Sequence, residues 1–374
     1  MLQDAGYSWS EIGTGLDRIM IVIVGALFAL GLVSIYSAGI GVRTSTMTYV
    51  LRQLVWAGAS AVLYVAVLRI GYRRFIRFGA WVYGAVVLLL IALDAMGAVS
   101  KGAVRWFQIG GLSFQPAELG KVALILVLSR FCSRYPPDNM KNLMSTLALS
   151  GVSVVMVLLQ PDLGSALVYV AIIFAILTVA GAPGKYLGGM VMLALLTMPV
   201  FWKTLRDYQK LRLVVFLDPY IDPQGAGYNV IQSRIAVGSG GLWGKGFLQG
   251  TQGRLHFLPE PHTDFIFSVF SEEFGFVGGL VVVVLFGCLF WRILRGAFRT
   301  KDTRAKILCI GVVAWLWFQV MESIAMSMGL APITGLPLPL FSYGGSSLIM
   351  VAFALALVQS VAISPVREKF LQVS

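Results

Sequence analysis

The chain has 374 residues, of which 58% are hydrophobic and only 12% are charged, and its mean hydropathy is +0.83. So little polar surface excludes a soluble globular protein of this size and predicts an all-α, polytopic membrane protein. The net charge of +12 does not indicate a nucleic-acid-binding protein, because the basic residues fall in short clusters between apolar stretches.

Long charge-free stretches predict the membrane spans, because a helix needs about 20 apolar residues to cross a bilayer. Ten long, largely apolar stretches occur, and we expect them to form a single membrane domain over residues 1–374. They cover residues 19–38, 49–68, 78–93, 119–131, 143–159, 163–181, 186–202, 264–290, 307–330 and 343–363. The fourth stretch is short and contains Lys121.

The basic clusters predict the orientation of these spans. Lys and Arg concentrate after the second, fourth and eighth spans and in the C-terminal tail. Since cytoplasmic loops carry an excess of Lys and Arg, both termini are expected in the cytoplasm. The opposite side then receives residues 97–116, the large loop of residues 203–263 between spans seven and eight, and residues 331–345.

The loop of residues 203–263 is too long for a plain connection, since most links take about 4–6 residues. Its segment GSGGLWGKGFLQGTQG, residues 238–253, offers flexible backbone, N–H groups and Lys245, which together suit a phosphate. The same glycines also suit a turn against the membrane surface. A nucleotide motif is absent, because Gly246 follows Lys245 where a P-loop has Ser or Thr.

Asp264 stands where this loop meets the eighth span, in the segment LHFLPEPHTDFIF. An ionisable group at the membrane boundary is a candidate functional residue, because charge that faces lipid is costly. The alternative is that Asp264 or Thr263 caps the helix. His256, Glu260, His262 and Asp264 have the residue types of a metal site, but their spacing matches no zinc signature.

Two other polar groups stand at the ends of spans. Glu118 and Lys121 are three residues apart and share a helical face, so a mutual ion pair is expected. Ser342 precedes the last span in the segment SYGG, where small residues permit either close packing or access for a substrate.

Five segments, in chain order, carry a resemblance to a known family. They are KGAVRWFQIGGLSFQPAELGK (101–121), QPDLGSA (160–166), GSGGLWGKGFLQGTQ (238–252), FLPEPHTDFIFSVFSEEFGFVG (257–278) and GLPLPLFSYGGSS (335–347). Together they resemble the SEDS family, the shape, elongation, division and sporulation proteins. The GTQ tripeptide before FLPE is more similar to the elongation branch, represented by RodA, than to the division branch. The sporulation branch is also close.

The resemblance implies a peptidoglycan glycosyltransferase of the bacterial cytoplasmic membrane. Such enzymes polymerise lipid II, an undecaprenyl-pyrophosphate disaccharide-pentapeptide, on the outer face of the membrane. The essential acidic residue of the family corresponds to Asp264, which is therefore the expected general base for the acceptor hydroxyl. Lys101 and Arg105 suit a helix at headgroup level, either steadying the pyrophosphate or acting as a plain anchor. The other expected substrate-binding residues are Glu118, Lys121, Lys245, His262 and Ser342.

No tightly bound cofactor is expected, although a divalent cation, Mg²⁺ or Mn²⁺, would suit the substrate diphosphate. The resemblance implies a class B penicillin-binding protein, a transpeptidase, as partner, together with other membrane proteins of the elongation complex. Nucleic acid is not an expected partner. Two other function classes fit the same sequence, a lipid II flippase and a non-catalytic scaffold for the transpeptidase. Glycan synthesis by the purified protein in detergent would separate a polymerase from both.

Overall fold

The computed structural model describes residues 6–40, 46–96, 98–100, 103–109, 112–255 and 257–373. Within these ranges, the side chains are described at every position except residues 94–105, 108–113 and 365–373. Within these ranges the chain forms 14 α-helices and one small three-stranded sheet.

Four helices precede the sheet and the remaining helices follow it. The elements are α1 (Trp9–Gly15), α2 (Arg18–Ala38), α3 (Thr46–Ile70), α4 (Tyr72–Met96), β1 (Ala98–Ser100), β2 (Ala103–Ile109), β3 (Leu112–Phe114), α5 (Pro116–Arg134), α6 (Met140–Leu159), α7 (Leu163–Val179), α8 (Gly184–Thr204), α9 (Asp207–Leu217), a 3-10 turn (Pro219–Ile221), α10 (Ala226–Ser239), α11 (Thr251–Arg254), α12 (Ile266–Arg299), α13 (Thr303–Ser327) and α14 (Gly345–Val373).

Eight helices in the described part of the chain are long and apolar enough to cross a membrane. They are α2, α3, α4, α6, α8, α12, α13 and α14. Helices α5 and α7 occupy the places of the fourth and sixth predicted spans. The prediction of an all-α, polytopic membrane protein is confirmed.

Helix α5 lies inside the bundle although it carries charged residues at both ends. Its residues 122–128 are at most 5% exposed, and it packs against α4, α7 and α13. Helix α8 differs, because it has no buried residue and touches the bundle along α7. A helix surrounded by protein can hold polar side chains that pair with one another, whereas a helix facing lipid cannot.

The segment between α4 and α5 forms strands, so the prediction of a headgroup-level helix around Lys101 and Arg105 is wrong. Strand β2 pairs antiparallel with β1 and with β3, and the second pairing joins Ile109 to Leu112. The sequence AVRWFQI is rich in β-branched and aromatic residues, and the dipeptide Gly110–Gly111 is typical of two-residue hairpin loops. Local β propensity therefore outweighs the helical spacing of the apolar residues.

Helix α12 is broken at Gly275, whose φ of 66° and ψ of −165° are not helical. The loop after α10 satisfies the backbone groups that the break leaves unpaired. The N–H group of Phe276 donates to the carbonyl of Gly241 at 2.8 Å. The N–H group of Val277 likewise donates to the carbonyl of Leu242 at 3.1 Å. This pairing matters because an unsatisfied backbone group is costly inside a membrane protein.

We predict that Gly275→Ala strongly destabilises the protein. A Cβ at this position would lie 2.3 Å from the nitrogen of Gly244, and the backbone conformation itself costs about 1–3 kcal/mol for a residue with a side chain. Gly287→Ala is the matched control, because Gly287 lies in the same helix and an added Cβ meets nothing within 4 Å. Thermal unfolding in detergent should show a lower melting temperature for Gly275→Ala only. Equal melting temperatures would contradict the described break.

Candidate active site

A polar cavity of about 340 Å³ opens at the end of the bundle where α5, α7, α12 and α14 begin. The unpaired N–H groups at the start of each helix create a partial positive charge, so this end of the bundle favours an anion. Of the described residues that line the cavity, four are acidic and one is basic. The acidic residues are Glu118, Asp162, Glu260 and Asp264, and the basic residue is Arg212.

Asp264 lies in the cavity wall immediately before α12. The N-cap of that helix is Phe265, and no side chain makes a capping hydrogen bond there. The N-cap position is therefore occupied by neither Asp264 nor Thr263. Phe265 and Ile266 are 2% and 0% exposed, whereas Asp264 is half-buried. The start of the helix is thus anchored in the core while the carboxylate remains accessible from the cavity.

The turn before α14 holds the Asp264 segment in place. The hydroxyl of Ser342 donates to the carbonyl of Thr263 at 2.7 Å and accepts from the N–H group of Leu338 at 2.8 Å. Gly335 approaches the carboxylate itself, since a Cβ at this position would lie 3.4 Å from Oδ2 of Asp264. Ser342 is 6% exposed and is not among the described residues that line the cavity. The geometry therefore supports the packing alternative for Ser342.

His262 packs in an aromatic cluster beside the same turn. Its ring centroid lies 4.6 Å from that of Tyr49 and 5.7 Å from that of Tyr343. The backbone of Tyr343 also donates to the carbonyl of His262 at 3.0 Å. His262 is not among the described lining residues either, so these contacts position the backbone that leads to Asp264.

Glu118 and Lys121 form the predicted ion pair. Nζ of Lys121 lies 2.6 Å from Oε1 of Glu118, and the two side chains are 0% and 3% exposed. Glu118 lines the cavity, whereas Lys121 lies in the protein interior with Nζ 5.3 Å from the centroid of the Trp315 ring. Lys121 therefore neutralises Glu118 from inside the bundle.

Gln319 connects this ion pair to the turn before α14. Its Oε1 accepts from Nζ of Lys121 at 3.0 Å and from Nε1 of Trp315 at 2.8 Å. Its Nε2 donates to the carbonyl of Pro337 at 2.8 Å. A continuous hydrogen-bonded chain thus runs from α5 through α13 to the turn that contacts the Asp264 segment.

Asp162 combines a structural role with a place in the cavity wall. Its carboxylate caps α7 by accepting from the N–H group of Ser165 at 3.1 Å and from its hydroxyl at 2.9 Å. Nε2 of Gln115 donates to the same carboxylate at 3.2 Å. These bonds tie the start of α7 to the start of α5, so the two helix ends present a fixed rim to the cavity.

The glycine-rich loop forms hydrogen bonds with the broken helix α12, and none of its described residues lines the cavity. The N–H groups of Lys245 and Gly246 donate to the carbonyls of Glu272 and Glu273, each at 3.0 Å. Nζ of Lys245 also lies 2.6 Å from Oε1 of Glu272, which is 0% exposed. These groups complete α12 where Gly275 interrupts it, and Lys245 is not among the described residues that line the cavity. The phosphate cradle at Lys245 stays a prediction.

Three of the predicted site residues cannot be placed. Lys101 and His256 lie outside the described residues, and so does the side chain of Arg105. The neighbouring Trp106 does line the cavity, which brings the β2 strand to its edge. The proposed roles of Lys101 and Arg105 stay predictions.

Sequence reasoning missed the contribution of α9 to the cavity. Tyr208 and Arg212 of this helix line the cavity together with the acidic residues at the starts of the long helices. The only signal in the sequence was an isolated basic and aromatic stretch, DYQKLRL, within the large loop. Such a stretch gives no indication of which side chains fold back over the bundle.

We predict that Lys121→Met destabilises the protein by about 3–5 kcal/mol, because it leaves the buried carboxylate of Glu118 without its counter-charge. The double variant Glu118→Met with Lys121→Met should recover most of this loss, since two apolar side chains leave no unpaired charge. Thermal unfolding of the parent and the two variants measures the effect. If both variants melt alike, the ion pair is not the source of the cost.

The sequence model of the family described as "Cell cycle protein" matches residues 17–365. The chain is 39% identical to the peptidoglycan glycosyltransferase MrdB of Escherichia coli K12, with 94% of each chain covered. It is 31% identical to the peptidoglycan glycosyltransferase RodA of Treponema pallidum, over 92% of this chain and 97% of that one. It is 32% identical to stage V sporulation protein E of Bacillus subtilis, over 93% and 97%.

Solved structures show the same fold. One, described as "Structural coordination of polymerization and crosslinking by a peptidoglycan synthase complex", aligns with a TM-score of 0.80 at 36% identity, over 93% of this chain and 97% of that chain. The crystal structure of the rod shape determining protein RodA of Thermus thermophilus aligns with a TM-score of 0.70 at 32% identity, over 93% and 96%. The chain therefore belongs to the SEDS family of cell cycle proteins, together with FtsW, RodA and the stage V sporulation protein.

Proposed function

We propose that this protein is a peptidoglycan glycosyltransferase that polymerises lipid II for cell elongation and shape, with Asp264 as its general base. Its relatives from Escherichia coli and Treponema pallidum are named peptidoglycan glycosyltransferases. The observation that supports the proposal most directly is the position of Asp264. Its carboxylate is accessible from a polar cavity at the N-terminal ends of four helices.

The reaction requires a base and a way to stabilise the leaving group. The 4-hydroxyl oxygen of the acceptor GlcNAc attacks C1 of the donor sugar, and the bond from C1 to the diphosphate oxygen breaks. The diphosphate leaves with the bonding electron pair, and the hydroxyl proton passes to the carboxylate of Asp264. The helix N-termini around the cavity oppose the negative charge that develops on the diphosphate.

A divalent cation, Mg²⁺ or Mn²⁺, fits this proposal as a companion of the diphosphate. Oε2 of Glu118 is buried and has no hydrogen-bond partner among the described residues, and Glu118 lines the cavity. Carboxylate oxygens are the ligands that these cations prefer, so Oε2 of Glu118 would contact the cation while Oε1 stays paired with Lys121. The cation would neutralise charge on the diphosphate. No tightly bound cofactor is part of the proposal.

The proposal includes an orientation in the bacterial cytoplasmic membrane and a partner. Both termini lie in the cytoplasm, so that the cavity opens to the outer side, as the distribution of Lys and Arg favours. A class B penicillin-binding protein cross-links the glycan strands, and other membrane proteins of the elongation complex assemble with the pair. One structural relative comes from a peptidoglycan synthase complex, which supports the proposal of such a partner.

Cysteine labelling tests the orientation. Tyr220 is 75% exposed in the 3-10 turn that follows α9, the helix that contributes Tyr208 and Arg212 to the cavity, and Lys301 is exposed in the turn between α12 and α13. In a Cys288→Ser background, which removes the exposed native cysteine, a membrane-impermeant thiol reagent should label Tyr220→Cys in intact spheroplasts. Lys301→Cys should react only after the membrane is opened. The reverse pattern would reject the orientation.

The decisive experiment is glycan synthesis from lipid II by purified variants in detergent. Asp264→Asn preserves size but removes the basic oxygen, so polymerisation should fall by at least about 100-fold. The melting temperature should stay near that of the parent, because Asn keeps the size of Asp and the N-cap of α12 is Phe265. Product length and thermal unfolding are measured together.

Asp207→Asn is the matched control for this experiment. Asp207 is a fully solvated carboxylate at the start of α9 and is not among the described residues that line the cavity. Its variant should polymerise lipid II as the parent does. Glycan synthesis by Asp264→Asn at the level of the parent would contradict the assignment of Asp264 as the base. Absence of polymer from the parent itself would favour the flippase or scaffold alternatives.

A further inference from the structure

A second, apolar pocket of about 70 Å³ adjoins the polar cavity. It lies among α7, α9 and the loop after α13, and Tyr208, Arg212 and Thr334 line both spaces. Its apolar walls include Leu163, Leu167 and Leu213. Leu167 is 46% exposed on the surface of α7, so this pocket, called here the side pocket, leads from the cavity toward the outside of the bundle.

Arg212 stands at the junction of the cavity and the side pocket. Of the described residues that line these two spaces, it alone is Lys or Arg. A guanidinium carries five N–H donors in a planar fork that matches the oxygens of a phosphate. At this junction an anionic group would meet a cation on one side and apolar walls on the other.

Hydrogen bonds hold Arg212 and its helix over the cavity. Nη1 of Arg212 donates to the carbonyl of Ile333 at 3.2 Å. One turn earlier, the hydroxyl of Tyr208 donates to the carbonyl of Pro161 at 3.2 Å, which fastens α9 to the segment before α7. The guanidinium is therefore positioned before any substrate arrives, and a preorganised site loses less entropy on binding.

From this arrangement we infer that Arg212 binds the diphosphate of a polyprenyl-diphosphate substrate, while the side pocket takes the first part of its isoprenoid chain. The inference rests on the proposed function, since it concerns the substrate of the same cavity. An amphiphile of this class needs a cation beside an apolar channel, and the junction supplies both. The exposed edge at Leu167 then lets the rest of the chain continue into the bilayer.

Binding measurements test the two halves of this inference separately. Undecaprenyl diphosphate, undecaprenyl phosphate and undecaprenol are each titrated against the full-length protein in detergent, and occupancy is read by native mass spectrometry. Arg212→Gln should lower the affinity for the diphosphate at least about tenfold, because hydrogen bonds to a charged group are lost. Its affinity for undecaprenol should not change. Arg212→Lys should fall between, since an ammonium keeps the charge but not the fork.

A second variant tests whether the isoprenoid chain of the ligand occupies the side pocket. Leu213→Trp places a large ring in the side pocket and should weaken all three ligands to a similar degree. Lys210→Gln is the matched control, because Lys210 lies in the same helix, pairs with the solvated Asp207 at 3.9 Å and is not a described lining residue of either space. It should bind all three ligands as the parent does. Melting temperatures establish that every variant is folded.

Parental affinity of Arg212→Gln for the diphosphate would overturn the inference, and so would parental affinity of Leu213→Trp for undecaprenol. Failure of the proposed function gives a different pattern. Asp264→Asn is expected to bind the diphosphate normally without polymerising lipid II. If Asp264→Asn polymerises while Arg212→Gln loses the diphosphate, the base assignment is wrong and the binding site stands.

Discussion

The buried ion pair between Glu118 and Lys121 allows a charged helix to occupy the middle of this bundle. A lone charge at this depth would cost several kcal/mol, so each partner depends on the other. The pair also reaches outward, because Gln319 accepts from Lys121 and donates to the carbonyl of Pro337. These hydrogen bonds fix the relative positions of α5, α13 and the turn before α14. That turn also holds the segment that carries Asp264, because Ser342 donates to the carbonyl of Thr263.

A second set of polar contacts supports α12, the helix that begins beside Asp264. The break at Gly275 exposes backbone groups of α12, and the glycine-rich loop pairs with them on both sides of the break. Glu272 also holds the start of α11 against α12, since its Oε1 accepts from the N–H group of Thr251 at 2.8 Å and from Nζ of Lys245 at 2.6 Å. Residues that look suited to a ligand therefore stabilise the helix that begins beside Asp264.

The balance of charge in the cavity suits the proposed chemistry. Four carboxylates would repel a diphosphate in an otherwise neutral cavity, but Asp162 is bound to the start of α7 and Glu118 is neutralised by Lys121. The N-terminal ends of the helices and Arg212 supply the opposing positive potential. Asp264 then lies among groups that attract an anion, which brings a base close to the sugar carbon that the diphosphate leaves.

The relation between sequence and structure differs among the elements of this protein. Apolar stretches of about 20 residues predicted the spans because the hydrocarbon thickness sets helix length directly. Spacing predicted the pair of Glu118 and Lys121, since residues three apart on a helix are neighbours by geometry alone. The position of Asp264 at the start of a span also followed from the charge pattern, and the family resemblance followed from ordered motifs.

Other features depended on contacts between distant parts of the chain. The sheet around β2 replaced a predicted helix, because pairing between strands decides a short segment that has both periodicities. Lys245 pairs with Glu272, which is 27 residues away along the chain. Ser342 donates a hydrogen bond to the carbonyl of Thr263, which is 79 residues away. Arg212 entered the cavity wall only because α9 folds back over the bundle. The sequence alone determined the membrane class, the helical fold and most of its long apolar helices, and it singled out Asp264 as a candidate. Only the tertiary structure decided which polar groups face the cavity, because long-range hydrogen bonds and packing use some of them and leave the others exposed to it.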